Sequence, residues 1–442
     1  MRSMLAAAIL AALLAASRPM EARAGEEFSA EAFLPAPEGK DAYTPAAAFG
    51  KDVFLVAWRS GHLAPGDLRE GLKFDAKIVA CRVDRSGKPL DASPIVVSTA
   101  PDLRERPMIA FGDGVFLICW QDLRNGKDWD VYAARVTPEG KVLDPDGIPV
   151  GAGDHNQALP DVAWDGRNFL VVWQDFRSGS QYQVYGARVS PEGKALDAGG
   201  FLIASSDLTS GWGKDQLFNP CAASLPGSGR NMVFWLAVSI NMKKPLAAFR
   251  FVEDGKPAGP PVVLRSTDDG SKGPGGQHST FPSSLSAGGK AYLLMWTTNA
   301  PWARGAPPND ANAMILDGDG KPGKSLALSG VLGPPWNCPM RIRNPRAAWD
   351  GDAFVAAWDE WDQNPAGRKG NSKRVVEAVF AARVTAEGEA GAKTRLSGDF
   401  DSPAIKPAVA SDGAGTTLIA YEKHPASEDV PIRIGFRMTV RK

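Results

Sequence analysis

The sequence lacks several features by which proteins of known activity are usually recognised. Its 50 basic and 50 acidic residues cancel over 442 positions, so no overall positive field draws the chain to nucleic acid. Beyond the first residues, no stretch approaches the roughly 20 apolar residues of a membrane span. There is no G-x-S-x-G elbow, P-loop or C-x-x-C pair. These absences argue against nucleic-acid binding, a membrane span and the commonest hydrolase and nucleotide sites.

Histidine and cysteine are also scarce, with four of each. No two histidines have a metal-binding spacing such as H-x-H or H-E-x-x-H, so neither a metal nor a cofactor is predicted. Cys81 and Cys119 lie in apolar runs and are interpreted as small buried hydrophobes, with a bridge between them as the lesser alternative. Cys221 and Cys338 border loops and form the candidate disulfide.

The first 24 residues have the organisation of a secretory leader. Arg2 precedes an apolar segment at 5–16, and Ala22, Arg23 and Ala24 form an A-x-A cleavage site. The sequence therefore predicts a signal peptide over 1–24 and an exported protein, either periplasmic or extracellular.

The remaining chain consists of seven related units. Each unit begins a strand at a proline, and an aromatic residue closes its second strand. These aromatic residues recur about every sixty positions, apart from a shorter step into the third unit. We call them the ladder aromatics: Trp58, Trp120, Trp173, Trp235, Trp296, Trp358 and Tyr421. An arginine in the third strand and a glycine five residues later repeat in register with them in most units, which indicates a repeat architecture.

Each unit contains four short strands and no helical periodicity. Second strands such as "FLVVW" are apolar at consecutive positions, so both of their faces must be covered. A four-stranded sheet packed between two neighbours is a propeller blade. The predicted fold class is therefore all-β, a seven-bladed β-propeller of four-stranded blades. Unit seven stops after its third strand, so an N-terminal strand at 28–36 is expected to complete the last blade and close the ring.

A single propeller domain is predicted over 25–442. Its blades fall at approximately 43–99, 100–150, 151–205, 206–265, 266–329, 330–398 and 399–442.

In a propeller, the connections from second to third strand and from blade to blade lie on one face. Here those connections are long and variable, so we call this the long-loop face and its opposite the short-turn face. All four histidines and five tryptophans outside the ladder fall there, which makes them candidate binding residues. They are Trp129, Trp212, Trp302, Trp336, Trp361, His62, His155, His278 and His424.

Carboxylates also gather at this face. Asp122 and Asp175 each follow a ladder tryptophan by two residues and precede Arg124 or Arg177 by two. Because the pattern repeats, we interpret each pair as an ion pair that caps a strand end, with the two arginines as candidate binding residues beside it.

The segment "WDEWDQN" is not repeated. Its acids, with Asp175, are the candidate catalytic residues if the protein is an enzyme, since two carboxylates about 5 to 9 Å apart can hydrolyse a glycoside. They are Asp359, Glu360 and Asp362.

Units such as "PDVAWDGRNFLVVWQDFRSGSQYQVYGARVSPEGKALD" resemble the repeats of exported bacterial β-propeller proteins over nearly the whole mature chain. The resemblance implies a fold and no particular activity. Our first hypothesis is a noncatalytic recognition or scaffold domain, expected to be monomeric, that binds a glycan or an extracytoplasmic protein on the long-loop face. The alternative is a glycan-active hydrolase or lyase, and a quinone- or metal-dependent enzyme comes third.

Overall fold

The computed structural model describes most of the propeller. The described residues are 28–61, 76–100, 103–206, 215–239, 246–264, 279–298, 310–328, 344–363, 375–398, 402–427 and 429–441. The predicted signal peptide at 1–24 lies outside them and stays a prediction.

Twenty-eight β-strands follow one another along the described chain. Blades 1 to 3 contain β2 (Ala42–Gly50), β3 (Val53–Ser60), β4 (Lys77–Asp84), β5 (Ile95–Val96); β6 (Arg104–Gly112), β7 (Val115–Asp122), β8 (Asp130–Val136), β9 (Ile148–Gly151); and β10 (Gln157–Trp164), β11 (Phe169–Asp175), β12 (Gln183–Val189), β13 (Phe201–Ala204). Blades 4 and 5 contain β14 (Asp215–Ser224), β15 (Arg230–Ser239), β16 (Leu246–Glu253), β17 (Lys256–Leu264); and β18 (Ser279–Gly288), β19 (Ala291–Thr298), β20 (Asp310–Asp317), β21 (Pro322–Ala327). Blades 6 and 7 contain β22 (Arg346–Trp349), β23 (Ala353–Gln363), β24 (Val375–Thr385), β25 (Thr394–Ser397); and β26 (Ala404–Ser411), β27 (Thr416–Lys423), β28 (Arg433–Val440), with β1 (Ala32–Phe33).

The strands form seven antiparallel sheets of four strands each, which confirms the predicted fold. Within blades 1 to 6 the strands pair in chain order from the inner to the outer strand. Blade 7 has the order β1-β28-β27-β26, so the N-terminal strand completes it as expected. Ala32 pairs with Phe436 and Phe33 with Gly435. The ring is therefore closed by residues from both ends of the chain.

The hydrophobic core is divided into layers between neighbouring blades. Seven buried clusters are found among the described residues, one at each of the seven junctions. Every residue of β11 is buried, as its run of consecutive apolar side chains predicts. All seven ladder aromatics are 0% exposed. Blade-to-blade packing on both faces of each sheet thus explains why the second strands do not alternate in polarity.

The repeated arginine of the third strand ties blades 1, 2 and 3 to the blade that follows. Arg82 donates two hydrogen bonds from Nε and Nη2 to Asp91 in its own blade, the latter at 2.7 Å, and its Nη1 bonds the carbonyl of Pro138 in blade 2 at 3.3 Å. Gly140 turns beside it with φ of +89°, and a Cβ there would lie 3.0 Å from Arg82 Nε. The repeated glycine is required both by this backbone angle and by the space that the arginine occupies.

Residues 358–363 of the "WDEWDQN" segment belong to strand β23 and not to a loop. β23 continues through Gln363, and Gln363 pairs with Val375 of β24. The hairpin of blade 6 therefore extends beyond the ladder position, because its two strands remain hydrogen-bonded up to the last described residues on each side.

Candidate binding site in the axial cavity

The repeated Trp-x-Asp-x-Arg pattern is a buried hydrogen-bonding unit. In blade 3, Trp173 Nε1 donates to Asp175 Oδ2 at 2.7 Å, and Arg177 donates to both carboxylate oxygens at 2.8 and 2.6 Å. Arg177 also bonds the carbonyl of Gly199 and lies 4.0 Å above the Tyr185 ring. The Asp175 side chain is 0% exposed. Both oxygens of the Asp175 carboxylate therefore accept hydrogen bonds from groups of the protein itself.

Blade 2 repeats the same unit. Trp120 Nε1 donates to Asp122 at 2.8 Å, Arg124 pairs with that carboxylate at 2.6 Å, and the guanidinium lies 3.7 Å from the centre of the Tyr132 ring. The carbonyl of Asp146 accepts a further bond from Arg124 at 2.6 Å. Arg124 and Arg177 thus lock the end of the second strand to the outer part of their own blade.

Glu360 occupies the equivalent place in blade 6. Trp358 Nε1 donates to Glu360 Oε2 at 3.0 Å, and Lys393 pairs with the other carboxylate oxygen. Lys393 Nζ lies 4.6 Å from the centre of the Phe380 ring. Glu360 therefore has hydrogen-bonding partners like those of Asp122 and Asp175, although its segment is not repeated in the sequence and its cation comes from a distant position. The catalytic role of Glu360 stays a prediction.

The other predicted carboxylates lie nearby. Asp359 is buried, and its Oδ1 accepts hydrogen bonds from the amides of Asn344 and Lys406 at 3.1 and 3.2 Å. The backbone of Asp362 pairs with Val376, and its side chain lies outside the described residues.

The predicted tryptophans and histidines are only partly described. Trp129 is half-buried between blades 2 and 3, where its amide and carbonyl bond Asn156 and Gln157. His155 is exposed and meets the Phe176 ring edge-on at 6.0 Å. His424 contacts Glu422 at 3.2 Å. Trp212, Trp302, Trp336, His62, His278 and the side chain of Trp361 lie outside the described residues. A binding role for this set stays a prediction.

Cys81, Cys119 and Cys221 are buried and form no disulfide with one another. Cys221 lies in β14 and not beside a loop. Its proposed partner Cys338 lies outside the described residues, so the Cys221–Cys338 bridge stays a prediction. Elsewhere in the described chain, no three His, Cys, Asp or Glu side chains converge to hold a metal ion.

An axial cavity of about 240 Å³ lies where the inner strands of all seven blades meet. Its lining comes from residues at or near the repeated proline of each inner strand, so the cavity lies within the axial channel. This site brings together positions that are far apart in the sequence.

Backbone bulges shape the cavity wall. The inner strand shifts register at the proline in six blades. The residue before the proline has a left-handed backbone at Thr44, Arg106, Leu159, Asn219 and Lys406, with φ between 48° and 54°. Such a conformation is costly for these residues and must be held by its surroundings.

Several of these bulges are stabilised by hydrogen bonds to side chains of the preceding blade. The side chain that follows the ladder aromatic accepts a hydrogen bond from the bulge amide of the next blade. Gln121 receives the amide of Leu159 at 3.1 Å, and Glu422 receives that of Thr44 at 2.6 Å. Gln174 and Asp359 do the same for Asn219 and Lys406 at 3.4 and 3.2 Å. The cavity wall is thus fixed by side chains that lie next to the ladder.

Charged residues occupy a few of the variable positions beside the prolines. Asp161 accepts hydrogen bonds from the amides of Val162 and Ala222 at 2.9 and 3.0 Å. Burial raises the pKa of Asp161 to about 6, although these amides and the charge of Arg346 oppose the shift. Arg346 donates to the carbonyl of Pro345 at 3.0 Å and lies 3.9 Å from Met108 Sδ. Arg106 extends into the same cavity.

Sequence reasoning missed these residues. In the sequence, Arg106, Asp161 and Arg346 stand in inner strands with no motif around them. The signal that could have found them is the variation of residue type beside an otherwise constant proline, because only the axis of a propeller brings those positions together.

No protein-family model and no curated protein matches the chain. A solved structure of a protein of unknown function from Dyadobacter fermentans has a TM-score of 0.51 at 11% identity, and the match covers 95% of this chain and 100% of that one. An α-L-arabinanase from Penicillium chrysogenum, solved with arabinobiose, gives 0.44 at 11% identity over 93% and 98% of the two chains. A sialidase from Trypanosoma rangeli gives 0.43 at 12% identity over 85% and 60%. At such identities the similarity concerns the fold alone.

The chain is therefore a seven-bladed β-propeller whose family is not defined by these matches. The described part of the chain contains no helix with the length and apolarity that crossing a bilayer requires.

Proposed function

We propose that this protein is an exported, noncatalytic recognition domain that binds a glycan at the long-loop face, with the axial cavity as the binding site. One observation carries this proposal. Among the described residues that line the cavity, Asp161 is the sole carboxylate, whereas glycoside hydrolysis requires two carboxyl groups about 5 to 9.5 Å apart. The acids at the strand ends are already engaged by indoles, cations and backbone amides.

The shape of the site favours a glycan over a protein partner. A stable protein interface covers roughly 800 Å² on each side and is usually shallow. The axial cavity is instead a concave space of about 240 Å³ with a wall of mixed polar and apolar character, which suits a single sugar ring. Export is supported by the leader-like segment at 1–24.

Glycan-array binding followed by product analysis tests the proposal. We expect the purified protein to retain one class of glycan and to release no new reducing ends on prolonged incubation. Substitution of Glu360 by Gln is expected to leave binding unchanged, since Glu360 is buried beneath Trp358. Failure to bind any glycan, or turnover of the bound one, would contradict the proposed function.

A hydrolase or lyase is the second candidate, and Asp161 is the observation that favours it. A carboxyl group with a pKa near 6 can carry a proton at mildly acidic pH, as a general acid must. Reducing ends that appear with the wild-type protein and disappear with Asp161→Asn or Glu360→Gln would establish this alternative.

A further inference from the structure

The cavity wall carries more positive than negative charge. Arg106, Arg346 and Lys406 line it, and Asp161 is the acid among its described lining residues. Lys406 is neutralised by the buried Glu422, at 2.9 Å. Two arginines and one aspartate remain, which leaves the cavity with one net positive charge when Asp161 is ionised.

Arg106 forms no salt bridge with a carboxylate of the described residues. The neighbouring Glu105 is engaged by Arg59 at 2.7 Å and by Gln121 at 3.4 Å. No described residue accepts a hydrogen bond from the Arg106 guanidinium, which is exposed to the cavity. Burial lowers the pKa of Arg106; the charge of Glu105 opposes this shift and the charge of Arg346 adds to it. A planar group with five N–H donors is thus directed into a partly desolvated space without a protein acceptor.

Arg346 faces the same space from blade 6. Within the described part of the chain, the Arg346 guanidinium donates to one oxygen, the carbonyl of its backbone neighbour Pro345. Its contact with Met108 Sδ places the guanidinium beside the strand that bears Arg106. Since guanidinium groups bind carboxylates in a bidentate manner, both arginines are suited to one shared anion.

We propose that the axial cavity binds the carboxylate group of an acidic sugar residue between Arg106 and Arg346, with Asp161 as the acceptor for a sugar hydroxyl. This inference rests on the proposed function and narrows it to glycans that contain uronic acids. The cavity volume of about 240 Å³ suits a single sugar ring at the axis. A monoanion balances the net charge, whereas a phosphate dianion would leave Asp161 facing an uncompensated negative charge.

Calorimetric titration of the full chain at pH 7 and low salt tests the inference. The probes are galacturonate, glucuronate and mannuronate, with the corresponding neutral sugars, succinate and inorganic phosphate for comparison. We expect at least one uronate to bind about tenfold more tightly than its neutral sugar. Arg106→Gln and Arg346→Gln should each weaken that uronate by about tenfold, since each removes a charge-assisted hydrogen-bonding group.

Arg167→Gln is the matched control, because Arg167 is an exposed arginine in the turn between β10 and β11, on the short-turn face. Urea midpoints of all three variants should match the wild type, which separates lost binding from lost folding. If an arginine variant unfolds early, the corresponding lysine variant retains the charge and is measured instead.

The remaining outcomes distinguish the two proposals. Equal binding of neutral and acidic sugars, or uronate binding that survives both arginine substitutions, would overturn the carboxylate site and leave glycan recognition intact. Tighter binding of phosphate or succinate than of any uronate would assign the cavity to another anion and likewise overturn it. Uronate turnover would support the site and contradict the noncatalytic function. Absence of binding by all probes and by a glycan array would contradict both.

Discussion

Two groups of residues, at the strand ends and in the axial cavity of the propeller, use the same chemical types differently. At the strand ends, Asp122, Asp175 and Glu360 each accept an indole N–H and a cation, so the carboxylates are buried and occupied. In the axial cavity, Arg106 and Arg346 face open space with few protein partners. The strand ends stabilise blades, whereas the cavity has donors left for a ligand.

The strand ends also differ among themselves. The indole nitrogens of Trp58, Trp235 and Trp296 have no hydrogen-bond partner among the described residues. Their blades carry Ser60, Ala237 and Thr298 where blades 2, 3 and 6 carry an acid. In blade 7 the acid comes from the opposite end of the chain, since Tyr421 donates to Glu31 at 2.7 Å. The indole–carboxylate bond is thus an addition to blade packing and not a condition for it.

The largest effect should follow removal of a ladder aromatic. Trp173→Ala deletes a fully buried indole and leaves a cavity between blades 2 and 3, so we expect the free energy of unfolding to fall by about 3 to 5 kcal/mol. Urea unfolding followed by circular dichroism measures it. An unchanged midpoint would contradict the blade assignment.

A smaller loss is expected at the carboxylate itself. Asp175→Ala leaves the Trp173 indole and the Arg177 guanidinium without their shared acceptor, which should cost about 2 kcal/mol, because Arg177 stays partly hydrated. Glu192→Ala, at an exposed turn of the same blade, is the control and should leave the urea midpoint nearly unchanged. Ligand binding should survive in both. If Asp175→Ala instead kept full stability and lost binding, the strand end would belong to the binding site.

The junction that closes the ring should respond to acid. Burial alone would raise the pKa of Glu422, but the hydrogen bond from His424, Lys406 and the Thr44 amide together hold it below its usual value. A lowered folded-state pKa stabilises the fold above the unfolded value of about 4.3 and is lost as the pH falls through the folded value. Wild-type thermal stability should therefore fall below about pH 4.

Glu422→Gln is expected to weaken the ring at neutral pH and to flatten this acid dependence. Gln121 and Gln174 already provide a neutral acceptor to the equivalent bulges, so the substitution has precedents in the same chain. Thermal melts between about pH 3 and 7 compare the two proteins, and parallel curves would show that Glu422 does not set the acid response.

The smallest effect concerns the cavity. Asp161 faces the charge of Arg346. The thiols of Cys119 and Cys221 lie near enough to Asp161 for its carboxylate charge to affect their pKa values. Burial, with the Asp161 charge in addition, raises both thiol pKa values well above normal, so the thiols stay neutral while Asp161 titrates. Protonation of Asp161 below about pH 6 removes the one negative charge, and uronate affinity should rise a few-fold between pH 7 and 5.5. If the affinity instead falls over this range, the hydrogen bond that the ionised Asp161 carboxylate accepts from the sugar outweighs its repulsion of the uronate charge.

Repetition in the sequence made the fold predictable. The prolines, ladder aromatics and third-strand arginines recur in register, and they report features that most blades share: a bulge in the inner strand, a buried aromatic residue and a hydrogen-bonded arginine in the third strand. The same logic predicted the Asp122–Arg124 and Asp175–Arg177 ion pairs that the structure contains. It did not predict the Glu360–Lys393 pair, because Lys393 lies 33 residues away and reaches the carboxylate only after β24 and β25 have paired.

The amino-acid sequence by itself therefore determined the seven blades, their four strands, the buried aromatics and the N-terminal closing strand, since all of these follow from local patterns and their period. Only the tertiary structure decided which unrepeated residues meet. Arg106 and Arg346 are 240 positions apart, and they face one cavity because closing the ring brings the inner strands of blades 2 and 6 to a common axis. Proximity across a closed ring depends on its geometry, and no local spacing in the chain records it.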